Sequence, residues 1–171
     1  DVYIIGVSQF YFYKTIESQT SLELFRKLYA IDDNKVVTYT CSAYRVFPDE
    51  DLFIDKLIES CQKIDVVLIL RLHPTERYAL YINKYSDINN VILDKPSGFF
   101  AATLTNDIED NQDEILRFIS LMKYSSVIIN LASTISLDAI IFDTPVICIS
   151  FNIDFRMKDE WNEASKWYES T

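Results

Sequence analysis

SSVIINLASTISLDAIIFDTPVICISF, residues 125–151, is the stretch whose reading decides the fold. It opens with a buried strand, Ser126–Leu131, and closes with a second buried strand, Pro145–Ser150. Between them lie a tight polar turn, Asn130–Thr134, and a short helix, Ser133–Phe142. Strand, turn, helix and strand in this order make one βαβ unit with a right-handed parallel crossover. The turn places small hydroxyl residues and free backbone N–H groups at a helix start, where α/β proteins hold phosphate.

The same alternation extends outward in both directions. Val2–Val7 (VYIIGV), Lys35–Cys41 (KVVTYTC), Asp65–Leu72 (DVVLILRL) and Asn90–Leu93 (NVIL) read as strands. Asp65–Leu72 is continuously apolar, as expected at the centre of a parallel sheet covered on both faces. Helical spacing marks Thr20–Tyr29, Thr75–Lys84 and Asp110–Tyr124, the last with Ile115, Phe118, Ile119 and Met122 facing inward. Pro48 followed by Asp49, Glu50 and Asp51 is a strong helix start. That helix runs to Lys63 with Leu52, Phe53, Leu57, Ile58 and Cys61 on one face. The tail Lys158–Tyr168 carries an apolar stripe of Trp161, Ala164, Trp167 and Tyr168 at helical spacing. The expected fold class is α/β: a doubly wound, Rossmann-like parallel sheet of about six strands.

At 171 residues the chain has the length of one domain, taken here as residues 1–171 with a helical tail at 152–171. It starts at Asp1, not at methionine, and is expected to be a piece of a larger two-domain protein. Its apolar content is 49%, too high for a disordered chain. No apolar run approaches the roughly 20 residues that span a bilayer. The three cysteines, Cys41, Cys61 and Cys148, lack metal-ligand spacing and fit a reduced, cytoplasmic setting; no metal site is expected. The net charge of −10 argues against nucleic acid or an anionic membrane surface as a partner. Its acids cluster at Asp32–Asp33, Asp49–Asp51 and Asp107–Glu114 and read as solvated helix starts and loops. Gly6 and Gly98 are the only glycines, so neither a GxGxxG fingerprint nor a Walker loop is present.

In a doubly wound sheet, ligands bind beyond the carboxyl ends of the strands. Polar residues just after strands are therefore the candidates. Arg71 and His73 leave the most apolar strand on one side, two residues apart. Arginine supplies a fixed fork for phosphate or carboxylate, and histidine can donate to a phosphoryl oxygen or shuttle a proton. The competing reading pairs Arg71 with a neighbouring acid and makes His73 a helix cap. Ser133 and Thr134 read as a diphosphate cradle or as a plain N-cap. Asp138, with Ser136, reads as an acceptor for ribose hydroxyls or as an exposed first-turn acid. Ser8, Thr40 and Ser42 follow strands and read as ligand contacts or as ordinary loop residues. Of Phe10, Tyr11, Phe12 and Tyr13, most are expected to pack in the core. The long connection Lys95–Glu109 carries Phe99 and Phe100, which either pack inward or stack on a base.

Together, GVSQF (6–10), VVTYTCS (36–42), ILRLHP (69–74) and NLASTISLDAIIFDTPVICISF (130–151) resemble the C-terminal half of GT-B-fold transferases of bacterial cell-surface polymer synthesis. The chain is similar to nucleotide-sugar glycosyltransferases of capsule and envelope pathways and to CDP-glycerol glycerophosphotransferases. UDP-GlcNAc 2-epimerases share the architecture more distantly. The resemblance implies a donor-binding domain whose substrate is a nucleotide-activated sugar or CDP-glycerol, with no separate cofactor. By the same resemblance Ser8 is the strand-end serine, Arg71 and His73 touch the donor phosphates, Ser133 and Thr134 cradle the diphosphate, and Asp138 holds the ribose. An acceptor domain would precede this one, and the acceptor could be membrane-associated, placing the protein at the inner face. The chain departs from the pattern at Ala132 and at Asp143-Thr144, where many relatives have glycine.

Overall fold

A computed structural model describes residues 8–43, 46–47, 49–74, 78–96, 112–131 and 133–149, the side chains of 8, 9 and 12 apart. Within these residues β1 (Val36–Thr40), β2 (Val67–Arg71), β3 (Val91–Asp94), β4 (Val127–Asn130) and β5 (Val146–Cys148) form one sheet. All four pairings are parallel and the spatial order is β3-β2-β1-β4-β5. The order reverses at β1: the chain builds outward through β2 and β3, then returns to β1's other side with β4. The expected strand Val2–Val7, the Phe99–Phe100 connection and the tail Lys158–Tyr168 lie outside the described residues.

The helices are α1 (Ser8–Ile16), α2 (Leu22–Tyr29), α3 (Glu50–Lys63), α4 (Tyr78–Tyr85), α5 (Gln112–Tyr124) and α6 (Ile135–Ile141). Strand alternation sends Val36, Val67, Ile69 and Ile128 into a core with Tyr13, Phe25, Tyr29, Ile115, Phe118, Ile119 and Met122, drawn from α1, α2 and α5. The opposite set, Tyr39, Leu68, Leu70 and Ile129, packs with Ile54, Ile58, Cys61 and Tyr85 from α3 and α4. Helices cover both faces, which makes the domain a doubly wound, Rossmann-like α/β fold. No helix among the described residues is long and apolar enough to cross a membrane.

Three local expectations change in the folded chain. The inward face of α3 is Glu50, Ile54, Ile58 and Cys61, while Leu52 is 42% exposed, because the face is set by where β2 lies and not by the densest apolar spacing. Among the described strands the middle position belongs to β1, with the more apolar β2 next to it, paired on both sides and buried throughout. Polar Thr38 is buried in β1 because its hydroxyl meets Ser125 Oγ at 2.7 Å. The strand after α6 is not buried throughout: β5 pairs only with β4 among the described residues, and Ile147 and Cys148 are exposed.

The scarcity of glycine has a structural counterpart. Ala30, Asp65 and Asp143 close α2, α3 and α6 while Asn90 leads into β3, and all four adopt positive φ, from 50° to 62°. That conformation ends helices and is usually given to glycine. Asn and Asp tolerate it through short polar side chains, whereas Ala30 bears the full steric penalty of a Cβ. Asp143 thus stands where the expected glycine would, and Thr144 beside it anchors to Met122 O at 2.6 Å.

Candidate functional site at the carboxyl rim

The last residues of the five strands fall in one register. Thr40 is level with Arg71 on one side and Asn130 on the other; Arg71 is level with Asp94, and Asn130 with Cys148. Period-two alternation gives all five the same face of the sheet. A row of Asp94, Arg71, Thr40, Asn130 and Cys148 therefore crosses the carboxyl rim, with the order reversal between β1 and β4 inside it. The row requires the pairing of distant strands and is invisible in any one segment.

Its left part is a buried charge network. Arg71 is 4% exposed, and its guanidinium pairs through Nη1 with Asp94 and through Nη2 with Glu114 of α5 at 2.9 Å. Asp94, fully buried, also accepts from Arg117 Nε at 2.6 Å. The Arg71 guanidinium lies 4.9 Å over the Phe118 ring. Burial alone would lower the Arg71 pKa; Asp94 and Glu114 more than reverse that and raise it. Of the two readings of Arg71, the geometry displays the pairing with acids: both ends of the fork are held by carboxylates, and the residue ties β2, β3 and α5 together. Glu114, expected to be solvated, is 9% exposed because Arg71 draws it inward.

The right part is built by Asn130, which is wholly buried. Its Oδ1 accepts the Ser133 N–H at 3.1 Å and its Nδ2 donates to Ser136 Oγ at 2.9 Å. Ser133, one residue ahead of the N-cap of α6, accepts the Ile135 N–H on its Oγ at 3.3 Å. Thr134 occupies the N-cap position without a side-chain cap bond and is exposed. Ser136 Oγ lies 3.5 Å from Cys148 Sγ. Asn130, Ser133, Thr134, Ser136 and Cys148 therefore form one polar turn beside the end of β1.

The exit of β1 is held by Glu50, 2% exposed at the first position of α3. Its carboxylate accepts from Tyr39 OH and the Ser42 N–H, each at 2.7 Å, and from Tyr81 OH at 2.9 Å. Burial first, and then the nearby Glu50 charge, push the Tyr39 phenol well up. Glu50 too was expected among solvated acids; three donors account for its burial. His73 is half-buried just past β2, at the same rim.

Asp138 departs from the rim. It is 5% exposed and its Oδ1 accepts from Tyr13 OH of α1 at 2.9 Å. Burial, then Asp138, raise the Tyr13 pKa strongly, and the nearby Arg71 charge opposes them. The acid expected to face a ribose is turned toward the core. Tyr13 packs with Phe118 and Phe142 and Phe10 packs beside it, as expected for most of the aromatic run, whereas Tyr11 is exposed. Ser8 is the first residue of α1; its side chain lies outside the description.

Sequence reasoning thus brought Arg71, His73, Thr40, Ser42, Ser133, Thr134 and Ser136 to one rim, and missed Asn130, Asp94, Glu114 and Glu50. A signal for Asp94 was present: LILR and VILD are apolar runs ending in opposite charges, as neighbouring parallel strands require of a buried pair. Among the described residues, no three metal-ligating side chains cluster.

No protein-family model matches the chain, and no curated protein matches it. Among solved structures it is similar to UDP-GlcNAc 2-epimerase from Neisseria meningitidis bound to UDP-GlcNAc, with a TM-score of 0.56 and 18% identity over 90% of this chain and 37% of that one. It is similar to UDP-GlcNAc 2-epimerase from Methanocaldococcus jannaschii, with a TM-score of 0.55 and 18% identity over 91% of this chain and 44% of that one. Likeness to the wall teichoic acid polymerase TagF, at a TM-score of 0.48 and 20% identity over 82% of this chain and 29% of that one, is too slight to carry an argument. The chain spans about two fifths of the length of the two epimerases. At such identities the likeness is one of fold: the Rossmann-like α/β arrangement also found in those enzymes.

Proposed function

We propose that the chain is the donor-binding domain of a nucleotide-sugar-dependent glycosyltransferase of cell-surface polysaccharide synthesis. It holds the donor's diphosphate at the carboxyl rim, where β1 and β4 part. The observation that supports this is the register row with its polar turn: Thr40, Asn130, Ser133, Thr134 and Ser136 stand together at the one place where a doubly wound sheet opens a crevice. Ser133, Thr134 and Ser136 supply hydroxyls to the phosphates, and His73 donates a proton or hydrogen bond toward the leaving diphosphate. Arg71 acts behind them, fixing the ends of β2 and β3. Group transfer also needs an acceptor hydroxyl held in line and deprotonated. That part belongs to an acceptor domain outside residues 1–171, so this chain binds donor without turnover.

The test is a titration of the chain with UDP, CDP and GDP, followed by thermal stability and by alkylation of Cys148. One nucleotide raises Tm and slows alkylation of Cys148, which borders Ser136. A response to none of the three makes the chain an interaction domain instead. A CDP-only response favours a CDP-glycerol donor. Isomerisation of UDP-GlcNAc by the longer parent protein, with no acceptor added, replaces the transferase reading with a sugar epimerase.

A further inference from the structure

Thr40 is the odd member of the rim row. Its neighbours are committed: Arg71 to two carboxylates, Asn130 to the Ser133 N–H and the Ser136 hydroxyl. Thr40 is 3% exposed, and its buried hydroxyl has no hydrogen-bond partner among the described residues. Buried polar groups are almost always paired, and leaving one unpaired costs stability. The same face of the same strand shows that the fold can satisfy a threonine: Thr38, two residues earlier, is paired with Ser125. Valine has the same shape as threonine and carries no such penalty. The unpaired hydroxyl also sits at the last β1–β4 pair, level with Asn130 and beside the Asn130–Ser136 turn.

We propose that the Thr40 hydroxyl is a ligand contact, donating its hydrogen bond to a phosphoryl oxygen of a bound nucleoside diphosphate. A phosphoryl oxygen is an anionic acceptor, and charge-assisted hydrogen bonds of this kind are the stronger class. The strand itself then reads the ligand, whose phosphoryl oxygen pairs a hydroxyl that no described group of the domain pairs. This rests on the donor-binding reading of the rim.

Thr40→Val and Thr40→Ser in the 171-residue chain test it, with inorganic pyrophosphate and UDP as probes, and uridine as a phosphate-free control. Thr40→Val raises the ligand-free Tm by about 2–4 °C. It weakens pyrophosphate and UDP about tenfold and leaves uridine unchanged. Thr40→Ser, which keeps the hydroxyl, stays within about threefold of the parent for both phosphates. A fall in ligand-free Tm for Thr40→Val overturns the proposal, because the hydroxyl would then be satisfied by the protein. Parent-like affinity of Thr40→Val overturns the contact alone and leaves the donor-binding reading standing. Absence of binding by the parent chain to either phosphate refutes that reading and the contact with it.

Discussion

Asp94→Asn changes one atom of a buried side chain and exposes how the rim is held. Asp94 accepts from two guanidiniums, Arg71 and Arg117, through its two oxygens. An asparagine keeps one acceptor and turns the other into a donor facing an arginine. Arg117 is 32% exposed and can turn to water, whereas Arg71, at 4%, keeps only Glu114. Breaking one partner of a buried ion pair costs about 3–5 kcal/mol. For a chain of this size that is a fall in Tm of roughly 6–20 °C. Urea denaturation measures it, with unchanged m confirming that the folded and unfolded states are otherwise alike. The triple replacement Arg71→Met, Asp94→Leu, Glu114→Met is expected to recover most of the loss, since apolar groups of similar volume replace buried pairs at little net cost. A loss below about 1 kcal/mol for Asp94→Asn refutes the reasoning. It would mean that Arg71 is only loosely held and free to swing toward an anionic ligand.

Ala30→Gly relieves the one left-handed position among the described residues that is occupied by an unassisted Cβ, and is expected to stabilise the chain by about 1 kcal/mol in the same assay. Native thiol titration should modify Cys148 quickly, with Cys41 and Cys61 reacting only in denaturant, since both are buried and burial also raises the Cys61 thiol. Stability should fall as pH rises past about 10. Burial, and then Asp138, Asp94 and Glu50 respectively, keep Tyr13, Tyr29 and Tyr39 protonated above the pH at which the unfolded chain ionises. The unfolded state then binds fewer protons, and each tyrosine contributes a slope of about 1.4 kcal/mol per pH unit. Tyr13→Phe should flatten that slope by one such increment, and an unchanged slope would count against the burial of Tyr13.

The periodic elements were legible before the structure because local spacing alone specifies them. Ile115, Phe118, Ile119 and Met122 face inward on α5 as their three- and four-residue spacing requires. What failed were inferences needing a second strand. Arg71 at the end of an apolar run has a use, but whether phosphate or carboxylate meets it depends on Asp94, which only the β2–β3 register brings alongside. Glu50 looks like any first-turn acid until Tyr39, Ser42 and Tyr81 converge on it. Asp138 follows the same rule, its partner Tyr13 being 125 residues away. Burial of a polar side chain is a property of tertiary pairing, and single-segment patterns carry little of it.

The place of β1 in the middle of the sheet also has a bearing on how the chain comes to be folded. Val36 meets Ser126, its contact toward β4, 90 residues further on. At ribosomal speeds of about 5–20 residues per second, one flank of the Val36–Thr40 backbone waits roughly 5–20 s for its partner to be made. During that interval a row of bare amides and carbonyls with apolar neighbours is open to other nascent chains. Slow synthesis or truncation before residue 127 should therefore yield aggregates in which β1 is the sticky element, and a chaperone that shields this flank should matter more than one acting after release.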